Sequence, residues 1–506
     1  MFFSYNYTSC IIGLGFFFLT LPIFSFGFKS QTIFLNIPHF KDITSTLGFE
    51  CFALFFFGEG LSYLFAEISV YYVGYRIILK LTGLITCLFF CSTLYGNIFL
   101  IHTGAFLTGI AIGHMWISQV YFLNYSRSHP WYTYISKTLI YMSIFTTLLL
   151  PLIGIGSKLP DKVPVELKSP AMMNDNMLFE PEIFRSVKNV MLAKIFYEHL
   201  LEYLIFSLIG TFLLCVQPRL WKIVGMKVNN DGQLKLTLVD YNNKKDDFSK
   251  SINELYKGKR KAIATTWKTD IKNIPYIIFN QFMIIGYFPV IYVGALTGYI
   301  CSLLTSGMNY GDVERDLDIE SSYISLVIVF ICIGRAATQY WISGLVKVKY
   351  NKNRRRNFFA LIFTLTGFFI ISLSDALLPV EKADLVYGII KNKFSDKLKV
   401  LIIARLFGIA ILSVANVLSE YYIYGYFEIL GQEFGSKVIY IIRILHCISL
   451  SFFVITFQFI PEYMLPLLIS IFAFIATVNF SKAEKYLIRS IFITQGVSQT
   501  TITKNG

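Results

Sequence analysis

Several ionisable and amide side chains interrupt long apolar stretches of this sequence, where a polar group needs a structural or functional reason. Arg335 and Gln339 lie one helical turn apart in one such stretch, and Arg405 and Asn416 lie in another. A charged side chain at the centre of a bilayer costs about 2.5–3.5 kcal/mol on insertion scales. These residues are therefore expected either to line a polar cavity or to pair with groups on neighbouring helices.

Arginines in a shared cavity would favour one class of solute. The guanidinium groups of Arg335 and Arg405 can bind a carboxylate or another anion through two parallel hydrogen bonds. Asn280 and Gln281 would add amide groups beside Pro289, since proline bends helices. These residues predict a binding site for an anionic or carboxylate-bearing solute. The structural alternative is that both arginines pair with acids on neighbouring helices or extend to the membrane surface.

Glu59 is the candidate for proton exchange, because burial of a carboxyl group favours its protonated form. It could then take up and release a proton during transport. The alternative is a fixed salt bridge to an arginine or lysine, such as Arg335 or Lys80. His114 and His446 could also relay protons, although a lone histidine in a helix is usually a packing residue.

No metal, cofactor or catalytic constellation accompanies these residues. His199 and Glu202 have the spacing of one metal-binding pair, but a second pair is missing, so the start of a helix at the membrane interface is expected. The eight cysteines form no CxxC pair and are expected to be reduced packing residues. Phosphate-binding-loop, hydrolase and potassium-filter motifs are absent, so we expect neither an enzyme, an ATP-driven pump nor a potassium pore.

Transmembrane helices are the elements that would position these side chains. Hydrophobic residues make up 55% of the 506 residues and charged residues only 15%, against about 25% charged residues in soluble domains. One soluble core could not bury that much apolar surface, whereas a bilayer accepts apolar helices of roughly 20 residues. The net charge of +14 is concentrated in a few loops, which indicates membrane orientation and lipid contact rather than nucleic-acid binding.

Hydropathy predicts twelve spans in two sets of six, divided by a polar connector. The predicted spans are 8–28, 46–66, 77–95, 98–121, 132–154, 196–216, 274–303, 321–346, 357–378, 400–423, 438–458 and 462–480. We therefore predict a first bundle over 1–216, a cytoplasmic connector over 217–273, a second bundle over 274–480 and a cytoplasmic tail over 481–506.

Charged loops predict the orientation of these spans. The 217–273 connector carries 13 Lys/Arg and 6 Asp/Glu, and the 347–356 turn carries six basic residues without an acid, whereas acids predominate over 308–320. Because short basic loops stay in the cytoplasm, both termini are predicted to be cytoplasmic, in the plasma membrane or an organelle membrane. Within the connector, residues 233–241 alternate in polarity and predict a hairpin.

This layout resembles the major facilitator superfamily. Gly74, Tyr75 and Arg76 end the turn after the second span, and an arginine cluster at 354–356 ends the turn after the eighth. That superfamily has Gly/Arg-rich loops at both places. Where that superfamily has an acidic loop residue, this chain has Tyr71, so the usual ionic contact between the loop and a helix is not expected. The resemblance implies an all-α integral membrane fold with about twelve transmembrane helices in two six-helix bundles.

The second to fourth spans more specifically resemble the Unc-ninety-three-like branch, the ion-channel-regulator-related group. The fourth span contains Gly104 and Gly109, followed by Trp116, Gln119 and Tyr121, and that branch has a small-residue-rich fourth span ending in Trp-x-x-Gln-x-Tyr. Gln119 joins the candidate solute-binding residues. The glycines are expected to let neighbouring helices approach closely.

Two functions are therefore kept open, because a fold does not by itself determine a function. The first is a secondary active transporter that moves a small, anionic or carboxylate-bearing solute by alternating access. The second is a non-transporting regulator or trafficking partner of a channel or receptor, as the Unc-type resemblance implies.

Overall fold

The computed structural model describes residues 2–36, 46–127, 181–216, 223–228, 234–238, 272, 274–305, most of 327–338, 353–377, 396–434, 437–461 and 464–494. Nearly all of these residues are helical. This agrees with a chain in lipid, where a helix satisfies its backbone hydrogen bonds within the segment itself.

The helices of the first half are α1 (Phe2–Asn36), α2 (Leu47–Ser62), the short α3 (Ala66–Val73), α4 (Tyr75–Tyr95), α5 (Ile98–Arg127) and α6 (Pro181–Val216). An antiparallel hairpin of β1 (Ile223–Val228) and β2 (Leu234–Leu238) follows. The second half contains α7 (Gln281–Thr305), helical residues within 327–338, α8 (Asn353–Leu377), α9 (Asp396–Phe434), α10 (Lys437–Thr456) and α11 (Leu465–Thr494).

The described helices coincide with eleven of the twelve predicted spans, and the remaining predicted span, 132–154, lies outside the described residues. Seven of these helices contain a stretch long and apolar enough to cross a membrane: Tyr75–Tyr95, Ile98–Ser118, Tyr197–Val216, Met283–Ser302, Ile403–Tyr424, Lys437–Thr456 and Leu465–Lys482. The prediction of an α-helical membrane fold is confirmed. The predicted hairpin at 233–241 contains β2, which pairs with the preceding segment.

Two separate apolar cores divide the described helices into two groups. One core is built from the first half of the chain and includes the fully buried Phe90 and Met115. The other is built from the second half and includes the fully buried Phe427 and Ile442. Each half therefore packs mainly against itself, while the predicted residue boundaries of the two bundles and the connector stay a prediction.

Glycines let α2 and α5 approach closely within the first group. A Cβ atom at Gly109 would lie 2.8 Å from the carbonyl carbon of Phe55, and one at Gly113 would lie 2.9 Å from Cβ of Ser62. Backbone atoms cannot move aside as a flexible side chain can, so Gly109 is required at this contact. This confirms the packing role expected for Gly109.

Gly74 forms the sharp connection between α3 and α4. Its φ of +93° lies in the left-handed region, which a residue with a Cβ atom adopts only with strain. The chain can therefore end α3 and begin α4 within a single residue.

The two groups meet mainly along α2 and α10, and two small apolar clusters cross the interface. The Cys301 cluster consists of Phe49, Phe52, Ala53, Cys301, Leu450 and Val454. The Cys447 cluster consists of Tyr63, Ala66, Val70, Ile78, Ile117 and Cys447. Ser451 of α10 adds a hydrogen bond of 2.8 Å to the carbonyl oxygen of Ala53. Ala53 and Tyr63 lie about 15 Å apart along α2 at 1.5 Å per residue, so the clusters mark two depths of the interface.

Candidate functional site

Charged and polar side chains gather between the two bundles around Arg443, and this group is named the charged crevice: Glu59, Tyr63, Arg335, Glu420, Tyr424, Arg443 and His446. Arg443, Cys447, Leu450 and Val454 follow the spacing of a single helix face, and the last three belong to the clusters that contact α2. Phe452, which is 60% exposed, points to the opposite side of α10. Arg443 is nevertheless exposed. Because it shares the inward face of α10, its exposure indicates a gap between the bundles rather than contact with lipid.

Tyr424 of α9 positions the polar side chains of α10. Its ring lies under the guanidinium of Arg443, with 4.4 Å between the guanidinium carbon and the ring centroid, a cation–π arrangement. Its hydroxyl lies 2.9 Å from Nδ1 of His446. Glu420, one turn earlier on α9, interacts electrostatically with both Arg443 and His446. The rigid packing of α9 on α10 therefore fixes both basic residues.

Glu59 extends this network from the first bundle. The hydroxyl of Tyr63 donates a hydrogen bond of 3.1 Å to Oε1 of Glu59, and the charges of Glu59 and Arg443 attract each other across the interface. The sequence left an arginine or lysine such as Arg335 or Lys80 as the alternative ionic partner of Glu59, and in the structure the arginine that interacts with it is Arg443. Lys80 is exposed on α4, whereas this part of α2 faces α10.

Arg335 and His446 lie deeper in the second bundle. Arg335 interacts electrostatically with Cys301 of α7 and with His446 of α10. Gly334 beside it packs closely on Ala410 of α9. In the part of the chain that the structure describes, the buried Nε2 atom of His446 has no hydrogen-bond partner.

The structure separates some of the other predicted solute-binding residues from this crevice. Asn416 is buried and accepts a hydrogen bond of 3.0 Å from Oγ1 of Thr297, which joins α9 to α7. Arg405 lies eleven residues earlier, or about 16 Å along α9. Asn280 precedes α7 and Gln281 is its exposed first residue, so both lie before the apolar stretch Met283–Ser302.

Two further candidates have side chains outside the described part of the chain. Gln339 lies outside the described residues, and Gln119 falls within α5 but its side chain is not among those described. Their roles in solute binding stay predictions, as do those of Asn416, Arg405, Asn280 and Gln281.

The other histidines that the structure describes make contacts within the first bundle. Nδ1 of His114 lies 2.8 Å from the carbonyl oxygen of Ile110, one turn earlier on α5, and its proposed part in proton transfer stays a prediction. His102 of α5 lies 3.0 Å from Oε2 of Glu50 of α2. His199 and Glu202 contact each other on α6 at 3.2 Å. Among the described side chains, no group of three or more His, Cys, Asp or Glu could hold a metal ion.

Two charged residues of the site, Arg443 and Glu420, were not predicted, although the sequence contains a signal for both. Arg443 lies six residues into the predicted span 438–458, and Glu420 lies in the predicted span 400–423. A charge within an apolar run is the same signal that marked Arg335 and Glu59. Tyr63 and Tyr424 carry no such signal, because tyrosine is common in membrane helices and only the folded structure shows what its hydroxyl contacts.

Comparison with known proteins gives structural but no sequence matches. No protein-family model and no curated protein sequence matches this chain. The solved structure of the D-xylose-proton symporter superposes with a TM-score of 0.57 at 12% identity, covering 96% of this chain and 97% of that chain. The peptide transporter POT gives a TM-score of 0.52 at 11% identity, covering 95% and 94%. The E. coli Fucose:proton symporter FucP gives a TM-score of 0.50 at 14% identity, covering 95% and 99%.

This chain has the major facilitator fold. The similarity extends over nearly the full length of each chain, and it supports the predicted arrangement of two helical bundles. Identities this low show a shared fold and no more. The major facilitator fold leaves the finer resemblance to the Unc-ninety-three-like branch as a prediction.

Proposed function

We propose that this protein is a secondary active transporter that moves a small, carboxylate-bearing solute by alternating access. The observation that carries this proposal is the set of charged side chains around Arg443 at the interface of the bundles, beside the Cys447 cluster and about two turns of α10 from the Cys301 cluster. If the bundles rock about the crevice, each cluster opens in turn and exposes the site to one side. The similar structures named as symporters support this reading.

Glu59 is proposed to exchange the coupling proton. Among the described residues, the charged and titratable groups that interact with it are Arg443, Tyr63, Tyr424 and Cys447, and Glu420 interacts with the last two of these. Deprotonated Glu59 attracts Arg443 and holds α2 against α10. Protonation removes that attraction, and α2 can then separate from α10. Protonation of one side chain thereby changes how the two bundles pack against each other.

The orientation in the membrane completes the proposal. Apolar side chains such as Phe99 and Phe212, which are 75% and 66% exposed, face outward and contact lipid. From the basic connector and the basic turn after the eighth span, we propose that both termini face the cytoplasm. The Cys447 cluster then lies nearer the cytoplasm, because it packs against the ends of α2 and α5 and the first half of α10.

Proton uptake into proteoliposomes tests this function directly. Vesicles loaded with the pH-sensitive dye pyranine would receive a panel of monocarboxylates, amino acids and short peptides. We expect wild-type protein to acidify the lumen with at least one of them. Glu59→Gln should slow solute-driven acidification by about ten-fold, which corresponds to about 1.4 kcal/mol, because the side chain no longer takes up a proton.

Glu50→Gln is the matched control, since it changes a glutamate on the same helix that contacts His102 within the first bundle. It should retain proton coupling. If folded wild-type protein moves neither protons nor labelled solute, the transport proposal fails. If Glu59→Gln couples like wild type, the assignment of the proton to Glu59 fails. A folded protein that moves no solute but copurifies with a stoichiometric channel or receptor would favour the regulatory alternative.

A further inference from the structure

The charges around the crevice do not cancel locally. In the described ranges, no carboxylate oxygen lies within 4.0 Å of the guanidinium of Arg335. Among the described residues, Glu59 and Glu420 both interact electrostatically with Arg443. Arg335 therefore lacks a close carboxylate partner, whereas two carboxyl groups compete for Arg443. A low-dielectric interior makes such an imbalance of charge costly unless a ligand of complementary charge offsets it.

His446 is coupled to both groups of charges and has an unused polar atom. Its charge interacts with Arg335, Arg443 and Glu420. Its Nδ1 contacts the hydroxyl of Tyr424, while its buried Nε2 has no partner in the described part of the chain. When Nδ1 accepts the tyrosine hydrogen, Nε2 carries a hydrogen and can donate it. A buried donor without a partner is rare in folded proteins and points to a missing acceptor.

We propose that the crevice binds a zwitterionic solute, with its carboxylate on Arg335 and Nε2 of His446 and its ammonium group toward Glu420 and Glu59. A carboxylate supplies the acceptor that Nε2 lacks and the negative charge that Arg335 lacks. An ammonium group supplies the positive charge that the two glutamates lack. A dianion would place its second charge beside the glutamates, so the site favours an amino acid or a short peptide over a dicarboxylate.

This inference rests on the proposed transport function for its biological meaning, but binding is measured on purified protein and does not require transport. The unfolding temperature of the protein in detergent would be measured with each of the twenty α-amino acids. The amino acid that raises it most would then be compared with two of its analogues. One analogue lacks the carboxylate and the other lacks the amine. We expect the amino acid to raise the unfolding temperature and both analogues to raise it much less.

Variants locate the binding within the crevice. Arg335→Gln and His446→Phe should each weaken binding of the amino acid by about ten-fold or more, since each removes a contact to the carboxylate. Glu420→Gln should weaken binding of the amino acid but not binding of the analogue that lacks the amine. Lys482→Gln is the control, because it removes one positive charge from an exposed position on α11 and should bind like wild type.

Each outcome supports or overturns the assignment. If the analogue without the amine stabilises the protein as well as the amino acid does, the solute is an anion and the zwitterion assignment is overturned. If no amino acid or dipeptide stabilises folded protein, the site assignment is overturned. Binding without transport would support the site and overturn the transport proposal. Transport of another solute that Arg335→Gln does not affect would support the transport proposal and overturn the site.

Discussion

Tyr424 combines two separate contacts in one side chain. Its ring supports the guanidinium of Arg443 at 4.4 Å, and its hydroxyl contacts His446 at 2.9 Å. The ring contact uses the negative face of the aromatic system, and the hydroxyl contact is an ordinary hydrogen bond. The two basic residues of α10 are therefore held by different parts of the same residue on α9.

Substitutions at Tyr424 should separate these contacts. Tyr424→Phe removes the hydrogen bond to His446 and should lower the free energy of unfolding by about 1 kcal/mol. Tyr424→Leu also removes the cation–π contact, so it should cost a further 0.5–2 kcal/mol, roughly. Chemical unfolding in detergent would measure both. Equal destabilisation by the two substitutions would contradict a contribution from the ring to the binding of Arg443.

At this scale the sequence identified which residues need a partner but not which arginine interacts with Glu59. Glu59 and Arg335 were recognisable because a charge in an apolar run needs compensation. The partner of Glu59 was not, because Arg443 is almost 400 positions away in the chain and meets Glu59 only when two helices of different bundles pack together. Residue type predicts the need for a partner, and tertiary structure selects which partner it is.

Among the elements, α2 makes the decisive contacts because it packs on two neighbours at once. Phe55, Gly58 and Ser62 lie on the face toward α5, where glycines bring the backbones together. Ala53 and Gly60 lie on another face, toward α10. Tight packing on α5 fixes α2 within the first bundle, so the contact with α10 is the one that can open.

Gly109→Val tests the tight side of α2. The added carbon atoms would collide with the backbone of Phe55, so the free energy of unfolding should fall by about 3 kcal/mol or more, at the upper end of overpacking costs. Leu107→Val is the matched control, since it places the same residue on the same helix at a position that is 43% exposed. It should change stability by less than about 1 kcal/mol. Similar effects of the two substitutions would contradict the glycine-mediated approach.

The sequence predicted the elements better than their contacts. Hydropathy placed spans such as 77–95 and 438–458 within two residues of α4 and α10, because lipid imposes one length and one polarity on every crossing. It could not predict that α9 continues to Phe434, beyond the span that ended at 423. Helix length outside the bilayer depends on capping and packing rather than on hydropathy.

In the part of the molecule that the structure describes, two halves keep separate cores, each built from one half of the chain. Two small apolar clusters and the charged crevice lie where these halves meet. Separation at one depth therefore exposes little apolar surface compared with disruption of a core. This difference is the physical basis for treating the bundles as rigid bodies that rock against each other.

Two native cysteines lie at the two depths of the interface and can report on this motion. Cys301 and Cys447 are both buried and belong to different bridging clusters. In a variant whose other six cysteines are replaced, mass spectrometry would follow the rate of alkylation of each by N-ethylmaleimide. Glu59→Gln should favour the state in which α2 and α10 separate around Arg443.

Alternating access predicts opposite changes at the two positions: in Glu59→Gln protein, Cys447 should be alkylated faster and Cys301 more slowly than in the parent variant. Partial unfolding would instead accelerate both. A change in the same direction at both cysteines, or no change at either, would contradict the account of two bundles that open reciprocally about the crevice.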